Sequence, residues 1–121
     1  MNKRQLGKTD INLTAIGFGG APLGNLFENL DERNCYDILE KSYQKGINIY
    51  DTSPLYGYGL SEHRLGNFLK TVDEDSYFLS TKVGRYLTPA KKDNIDRGRF
   101  AGSLNFSPNL DYSYDLSLIH I

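Results

Sequence analysis

The sequence has one cysteine, no tryptophan and no long run of apolar residues. Cys35 has no partner for an internal disulfide, which fits a reducing compartment, so we expect a cytoplasmic protein. No apolar stretch approaches the roughly 18 residues of a membrane-spanning helix. The charged N-terminus is not followed by the apolar segment of a secretion signal. These absences predict a protein that does not associate with a membrane.

An excess of positive charge is also missing. The 121 residues include 14 lysines and arginines against 15 aspartates and glutamates, a formal net charge of −1. Nucleic-acid-binding proteins need a basic face to contact phosphates, so we predict no nucleic-acid partner. One helical turn after His63 stands Asn67 and not a second metal ligand. We therefore predict that His63 faces solvent and that no metal is bound.

The clearest helix pattern covers residues 31–45. Asp31 is the predicted N-cap, Gly46 follows the last turn, and the apolar face includes Cys35. We interpret Cys35 as a small core residue, because a reactive thiol needs an exposed and electropositive setting.

Strand and helix patterns alternate through the middle of the chain. A short apolar strand covers 47–50, a second helix begins with Ser61 as its predicted cap, and a third strand covers 77–81. Helices between successive strands predict right-handed βαβ units on a parallel sheet, an α/β fold.

Two further segments precede this alternation. Residues 3–15 predict a β-hairpin around a turn at 7–10, and residues 13–17 predict a buried strand. The glycine-rich residues 17–24 then leave two interpretations open. They form either a plain flexible turn or a loop whose backbone comes close to a ligand.

The segment 85–115 shows neither a helical nor an alternating pattern. It contains Pro89, Pro108 and a run of mixed charge, so we expect a long irregular loop. A loop of this length in a compact domain is usually functional or disordered. Phe106, Tyr112 and Tyr114 either stack on a sugar or dock the loop to the rest of the protein.

An acid, a phenol and an amine stand at the ends of successive predicted strands. Asp51 ends one strand, Tyr56 follows in the turn, and Lys82 ends the next strand. A lysine ammonium group stabilises a neighbouring phenolate, and a carboxylate holds the lysine in place. Such a phenol can exchange a proton with a substrate oxygen near neutral pH. The alternative is an ordinary buried ion pair beside a core tyrosine.

These residues resemble the signature of the aldo-keto reductases. Residues 51–62 read Asp-Thr-Ser-Pro-Leu-Tyr-Gly-Tyr-Gly-Leu-Ser-Glu, and 80–84, Ser-Thr-Lys-Val-Gly, are similar to the strand that bears the family's catalytic lysine. Residues 13–20 look like its first strand and βα loop. Residues 111–115, Asp-Tyr-Ser-Tyr-Asp, most resemble the sugar-oxidising branch, the galactose, fucose or threo-aldose dehydrogenases.

The resemblance implies the N-terminal part of a (β/α)8 TIM barrel, with the hairpin and about three βα units. It also implies hydride transfer between NAD or NADP and a small carbonyl compound or a sugar hydroxyl. The implied catalytic residues are Asp51, Tyr56 and Lys82. The implied cofactor-binding residues are Gly19, Gly20, Ala21 and Asp51.

Length sets a limit on this interpretation, because a complete barrel needs about 250 residues. We therefore divide the chain into the first βα units at 1–84, a loop over the active-site side at 85–115, and a tail at 116–121. The later loops that would grip the cofactor are missing from this stretch. We expect the 121-residue chain alone to bind cofactor poorly and to be inactive.

The tail Leu-Ser-Leu-Ile-His-Ile looks like the family's fourth strand, which would make His120 a fourth catalytic residue. A parallel strand needs a crossover of about a dozen residues, usually a helix, and 85–115 has no helix pattern. The same hexapeptide also results from translating a common sequencing adapter. We therefore predict that 116–121 is a read-through artefact and that His120 is not a site residue.

A second class of function is a non-catalytic binding module that keeps the aldo-keto reductase motif. Such a module has no need of an acid, a phenol and an amine together. The presence of Asp51, Tyr56 and Lys82 therefore favours the enzyme, and phenylalanine at position 56 would have favoured the module.

Overall fold

The computed structural model describes residues 1–110, without the side chain of Leu110. The predictions for Tyr112, Tyr114, His120 and the tail 116–121 lie outside the described residues. Strands and helices are numbered in chain order.

The chain begins with the predicted hairpin. Strands β1 (Lys3–Gln5) and β2 (Asn12–Thr14) pair in antiparallel fashion, and Gly7 takes a left-handed conformation in the turn, with φ of 57°. Asn48 ties the hairpin to the sheet: its side-chain oxygen accepts from the Thr14 amide at 2.7 Å and its side-chain nitrogen donates to the Asn12 carbonyl at 2.9 Å.

Three parallel strands form the central sheet in the order β3 (Phe18–Gly19), β4 (Ile49–Asp51) and β5 (Phe78–Ser80). Helix α1 (Glu32–Gln44) connects β3 to β4, and helix α2 (Leu60–Leu69) connects β4 to β5. The predicted βαβ units and parallel sheet are confirmed.

The predicted strand at 13–17 is wrong in its bounds. Residues 13–14 belong to the hairpin, residues 15–17 are exposed and lie in no strand, and the sheet strand starts only at Phe18. The hydroxyl of Thr14 donates to the Ile16 carbonyl at 2.8 Å and stabilises a bend between the two parts. An apolar run by itself does not reveal such a bend.

The two helices begin differently. Asp31 caps α1 as predicted, since its carboxylate accepts from the Asn34 amide at 2.7 Å. The predicted Ser61 cap of α2 is wrong. Gly59, with φ of 95°, takes the cap position without a side-chain hydrogen bond, and Ser61 lies within the first turn, fully buried. Its hydroxyl is used for a tertiary contact instead.

The core lies between the helices and one face of the sheet. Its buried members come from the glycine-rich loop, both helices and β4: Leu23, Cys35, Leu39, Tyr50, Leu65, Phe68 and Leu69. Cys35 is 1% exposed, which confirms it as a core residue, and burial raises the pKa of its thiol. His63 is exposed on α2, as predicted.

The expected irregular loop after residue 84 is instead largely a second hairpin. Strands β6 (Arg85–Pro89) and β7 (Phe106–Leu110) pair in antiparallel fashion, with Leu87 opposite Pro108. A proline in each strand obscures the pattern, because proline is normally confined to strand ends and edge strands. This two-stranded sheet has only edges, so it tolerates both prolines.

Within residues 1–110, no helix is long and apolar enough to cross a membrane. The same residues contain no group of three or more histidine, cysteine, aspartate or glutamate side chains arranged to hold a metal ion.

Candidate active site

The candidate site lies at the carboxyl ends of the three parallel strands. The register places Gly19, Asp51 and Ser80 side by side at the last residue of each strand. Tyr56 follows in the turn after β4, and Lys82 comes two residues after β5. Carboxyl ends of parallel strands are where α/β barrels hold their active sites, so chain topology alone gathers these side chains.

Asp51 and Lys82 form an ion pair, with the lysine Nζ 2.7 Å from Asp51 Oδ2. Lys82 also donates to the Thr52 carbonyl at 2.8 Å. The other carboxylate oxygen of Asp51 accepts from the Ser80 hydroxyl at 3.0 Å. Residues at the ends of both β4 and β5 therefore hold the two charged groups in place.

The pKa values follow from this pairing. The hydrogen bond from Lys82 lowers the pKa of Asp51 below its ordinary 3.8. The same bond raises the pKa of Lys82 above its ordinary 10.5, with a smaller contribution from Tyr56. Asp51 therefore stays anionic and Lys82 cationic throughout the neutral range.

Tyr56 lies against the lysine. The Nζ atom of Lys82 is 5.1 Å from the centroid of the Tyr56 ring, a distance at which a cation is attracted to an aromatic face. The structure thus brings together all three residues that the sequence nominated as catalytic.

An open cavity of about 260 Å³ adjoins this trio. Apolar side chains form part of its wall and hydrogen-bonding or charged side chains form the rest: Ser53, Pro54, Leu55, Tyr56, Lys82, Val83 and Arg85. A wall of this mixed character suits a small polar molecule with a hydrocarbon skeleton.

The three loop residues nominated for the cofactor differ in their surroundings. Gly19 is exposed, and a Cβ placed on it would meet nothing within 4 Å. Gly20 is buried, its amide donates to the Asp51 carbonyl at 2.7 Å, and a Cβ there would lie 2.8 Å from Ser61 Oγ. Ala21 begins a short 3₁₀ helix, Ala21–Gly24.

Sequence reasoning missed the role of Ser61. Its hydroxyl donates to the Gly20 carbonyl at 2.7 Å and lies 2.9 Å from the Thr52 hydroxyl. This contact ties α2 to the loop after β3 and to the end of β4. The signal was present, because a serine in the first turn of a helix invites interpretation as a cap, but Gly59 already fills that position.

Sequence reasoning also missed Arg64, which lies on the buried face of α2. The guanidinium pairs with Glu32 at 2.6 Å and donates to the Leu23 and Leu30 carbonyls and to the Asn25 side chain, each at 2.8 Å. It thereby fixes the loop between β3 and α1. An arginine directly before Leu65 in the apolar stripe of α2 was the available signal.

This geometry has counterparts among known proteins. The model of the Aldo/keto reductase family matches residues 15–111. A curated relative, the pyridoxal 4-dehydrogenase of Microbacterium luteolum, is 42% identical over 93% of this chain and 35% of its own length. The D-threo-aldose 1-dehydrogenase of a Pseudomonas species is 48% identical over 64% of this chain and 23% of its own length.

Among solved structures, the holo form of an aldo-keto reductase from Bacillus halodurans superposes with a TM-score of 0.65. It is 37% identical and covers 76% of this chain and 29% of its own. The fold is thus that of part of a (β/α)8 barrel, as predicted. The chain belongs to the aldo/keto reductase family. It spans about a third or less of the length of these relatives.

Proposed function

We propose that this chain supplies the acid–base residues of an NAD- or NADP-dependent oxidoreductase. The reaction is hydride transfer between nicotinamide and the carbon of an aldehyde, ketone or sugar hydroxyl. The observation that carries this proposal is that Lys82 contacts Asp51 at 2.7 Å and the Tyr56 ring at 5.1 Å at the same time. That arrangement is suited to moving a proton at the phenol oxygen.

Tyr56 is the proposed general acid–base residue. In the reducing direction its hydroxyl donates a proton to the substrate oxygen, and in the oxidising direction its phenolate accepts that proton. The nicotinamide cofactor supplies or accepts the hydride. Tyr56 lines the cavity next to Lys82, so a substrate there can reach both side chains.

Lys82 and Asp51 set the electrostatics for this proton transfer. The ammonium group of Lys82 places a positive charge 5.1 Å from the centroid of the Tyr56 ring. Asp51 keeps the ammonium group in place and charged, because the raised pKa of Lys82 comes chiefly from this hydrogen bond. Ser80 orients the carboxylate through its 3.0 Å hydrogen bond.

Gly19, Gly20, Ala21 and Asp51 are the proposed cofactor contacts of this chain. Gly19 is exposed at the end of β3, next to Asp51 in register, which supports a contact with a ligand there. The Gly20 amide already donates to the Asp51 carbonyl, so the proposed contact of Gly20 with the cofactor does not use this donor. Which of the two nucleotides is used depends on parts of the protein outside this stretch.

The proposed substrate is a small hydroxylated aldehyde or aldose. The names of the two relatives, a pyridoxal dehydrogenase and a threo-aldose dehydrogenase, both indicate such compounds. The mixed wall of the cavity supports the same class. The cytoplasm is the proposed compartment, because Cys35 is a free thiol within the core.

The division of the chain is also a proposal: βα units at 1–84 and a segment over the active-site side at 85–115. Arg85 lines the cavity, and the Leu104 amide donates to the Gly57 carbonyl at 3.1 Å in the turn that carries Tyr56. Both contacts support a position of this segment next to the site.

The test uses the complete reading frame that contains this chain. The purified protein is assayed with NAD and NADP against aldoses and pyridoxal. We expect saturable turnover with at least one pair, and a loss of about 10²–10⁴-fold in kcat for Tyr56→Phe. The matched control is Tyr36→Phe, an exposed position on α1, which should keep full activity.

Two results would overturn the proposal. One is full activity in Tyr56→Phe, which would remove the phenol from the reaction. The other is the absence of turnover with every nucleotide and substrate pair in a folded protein. The 121-residue chain, assayed beside it, is expected to show no saturable turnover.

A further inference from the structure

Tyr58 lies two residues after the proposed acid–base residue. Its side chain contacts residues of the second hairpin, far along the sequence. Its side chain is 4% exposed, and its hydroxyl donates to the Asp96 carbonyl in the loop of the second hairpin. Its ring meets the edge of Phe100 with centroids 6.0 Å apart and planes at 65°. The sequence patterns singled out Tyr56 and left Tyr58 without a role.

The backbone of this turn is unusual. Tyr58 has φ of 54° and lies between Gly57 and Gly59, which are also left-handed. Residues other than glycine seldom adopt this conformation, and they keep it only where surrounding structure imposes it. Here the Leu104 amide donates to the Gly57 carbonyl at 3.1 Å, so the second hairpin contacts the turn through both backbone and side chain.

We call residues 96–104 the docking segment. It also binds the loop after β3: the Phe27 amide donates to the Arg99 carbonyl and the Ala101 amide donates to the Asn25 carbonyl, both at 2.9 Å. Asn25 and Phe27 are left-handed as well, with φ of 62° and 69°. Within residues 1–110, every non-glycine residue with positive φ therefore lies in a loop that the docking segment contacts.

Gly24 packs against the backbone of the same turn. A Cβ placed on Gly24 would lie 2.4 Å from the carbonyl carbon of Tyr56 and 2.6 Å from the Gly57 nitrogen. The turn thus contacts Gly24 at Tyr56 and Gly57, and it contacts the docking segment at Gly57 and Tyr58.

We propose that Tyr58 is a positioning residue for Tyr56. By fastening the docking segment onto the turn, it fixes the distance between the Tyr56 phenol and Lys82. This inference rests on the proposed function, in which Tyr56 transfers the proton. A misplacement of about 1 Å in a reacting group can lower a rate by about 10²-fold, so a latch outside the chemistry can control kcat.

The test compares two tyrosine hydroxyls in the full-length protein. Tyr58→Phe removes only the bond to Asp96. Tyr43→Phe is the matched control, because Tyr43 donates to the Ser76 hydroxyl at 3.1 Å, far along the sequence and away from the site. We expect kcat of Tyr58→Phe to fall about 10- to 100-fold with KM changed less than about twofold. Tyr43→Phe should keep the wild-type kcat.

A purely structural role predicts a different pattern, in which both variants unfold more easily and neither changes kcat. If kcat of Tyr58→Phe matches that of Tyr43→Phe, the proposal is overturned. A parallel measurement follows hydrogen exchange at the amides of Ala101 and Leu104. We expect faster exchange at both in Tyr58→Phe alone.

The two measurements also separate this inference from the proposed function. If the wild-type protein shows no turnover, the proposed function fails. The hydrogen-exchange experiment alone then tests whether Tyr58 holds the docking segment on the turn. Unchanged protection at Leu104 in Tyr58→Phe would then show that Tyr58 does not fasten the docking segment.

Discussion

Two ion pairs in residues 1–110 have similar lengths and opposite surroundings. Lys82 and Asp51 are 2.7 Å apart, and their side chains are 47% and 44% exposed. Arg64 and Glu32 are 2.6 Å apart, but the Arg64 side chain is only 5% exposed while that of Glu32 is 74% exposed. The first pair lies at the strand ends. The Arg64 of the second pair contacts the loop between β3 and α1.

The comparison indicates that burial of the cation separates a structural ion pair from one that is accessible to a ligand. Arg64 directs its donors at backbone and amide oxygens of one loop, so it acts as a structural support. Lys82 keeps one side open to the cavity beside Tyr56, so it can act on a bound molecule. Since solvent screens the exposed pair, its contribution to stability is small.

The largest effect is expected when Arg64 is removed. Arg64→Met leaves the Leu23 and Leu30 carbonyls without this donor. The Asn25 side chain also loses a hydrogen bond, although it still accepts from the Leu30 amide at 3.0 Å. Each buried acceptor that loses its partner is costly, so we expect a loss of roughly 2–4 kcal/mol in the free energy of unfolding. Urea denaturation measures it. The matched control is Arg33→Met, an exposed position on α1.

A loss below about 0.5 kcal/mol in Arg64→Met is the size of an ordinary surface substitution. That result would show that both ion pairs contribute about equally to the free energy of unfolding. Burial of the Arg64 guanidinium would then add nothing to its contribution.

The next largest effect is expected at Gly24, which connects the two regions. It lies between Leu23 and Asn25, both bound by Arg64, and it packs against the backbone of Tyr56. Gly24→Ala places a methyl group in space that the Tyr56 backbone occupies. We expect a loss of about 1–3 kcal/mol in stability, because overpacking of this kind forces backbone shifts.

Gly66→Ala is the control, for which we expect a change in stability of the opposite sign. Gly66 lies in α2, and the methyl group that alanine adds there would have nothing within 4 Å. Alanine should therefore stabilise the helix by up to about 1 kcal/mol. Thermal unfolding of both variants checks this pair of predictions, and equal melting temperatures would contradict it.

The smallest effect on stability is expected at Lys82. Lys82→Met should lower the free energy of unfolding by less than about 1 kcal/mol at neutral pH. The lowered pKa of Asp51 makes this contribution disappear as pH falls below 3.8 through the folded pKa. The raised pKa of Lys82 makes it disappear as pH rises above 10.5 through the folded pKa.

The pH experiment is a comparison of wild type and Lys82→Met by urea denaturation from acid to alkaline pH. The difference between the two should be constant between 3.8 and 10.5 and should shrink on either side. A difference that grows on acidification would have the wrong sign and would reject the pairing.

Local signals made much of the first half predictable. Helix α1 is marked by a cap at Asp31 and a stop at Gly46, both within one turn of the helix. The trio at the strand ends follows from a short motif and from the rule that parallel strands share one edge. These inferences need only nearby residues and simple topology.

The second hairpin was not predictable in the same way. Its strands β6 and β7 are separated by residues 90–105, and each strand contains a proline. The contacts that hold the docking segment are mostly between backbone atoms, which no side-chain pattern records. The wrong cap at Ser61 has a related cause, because its hydroxyl is used by Gly20, which is distant in sequence.

The backbone character of this docking has a consequence for variation among relatives. Three of its hydrogen bonds, from Phe27 to Arg99, from Ala101 to Asn25 and from Leu104 to Gly57, use no side-chain atoms. Side chains in the intervening loop can therefore diversify while the anchor persists. A library that randomises residues 91–94 and keeps Tyr58 and Gly57 should therefore yield mostly folded variants.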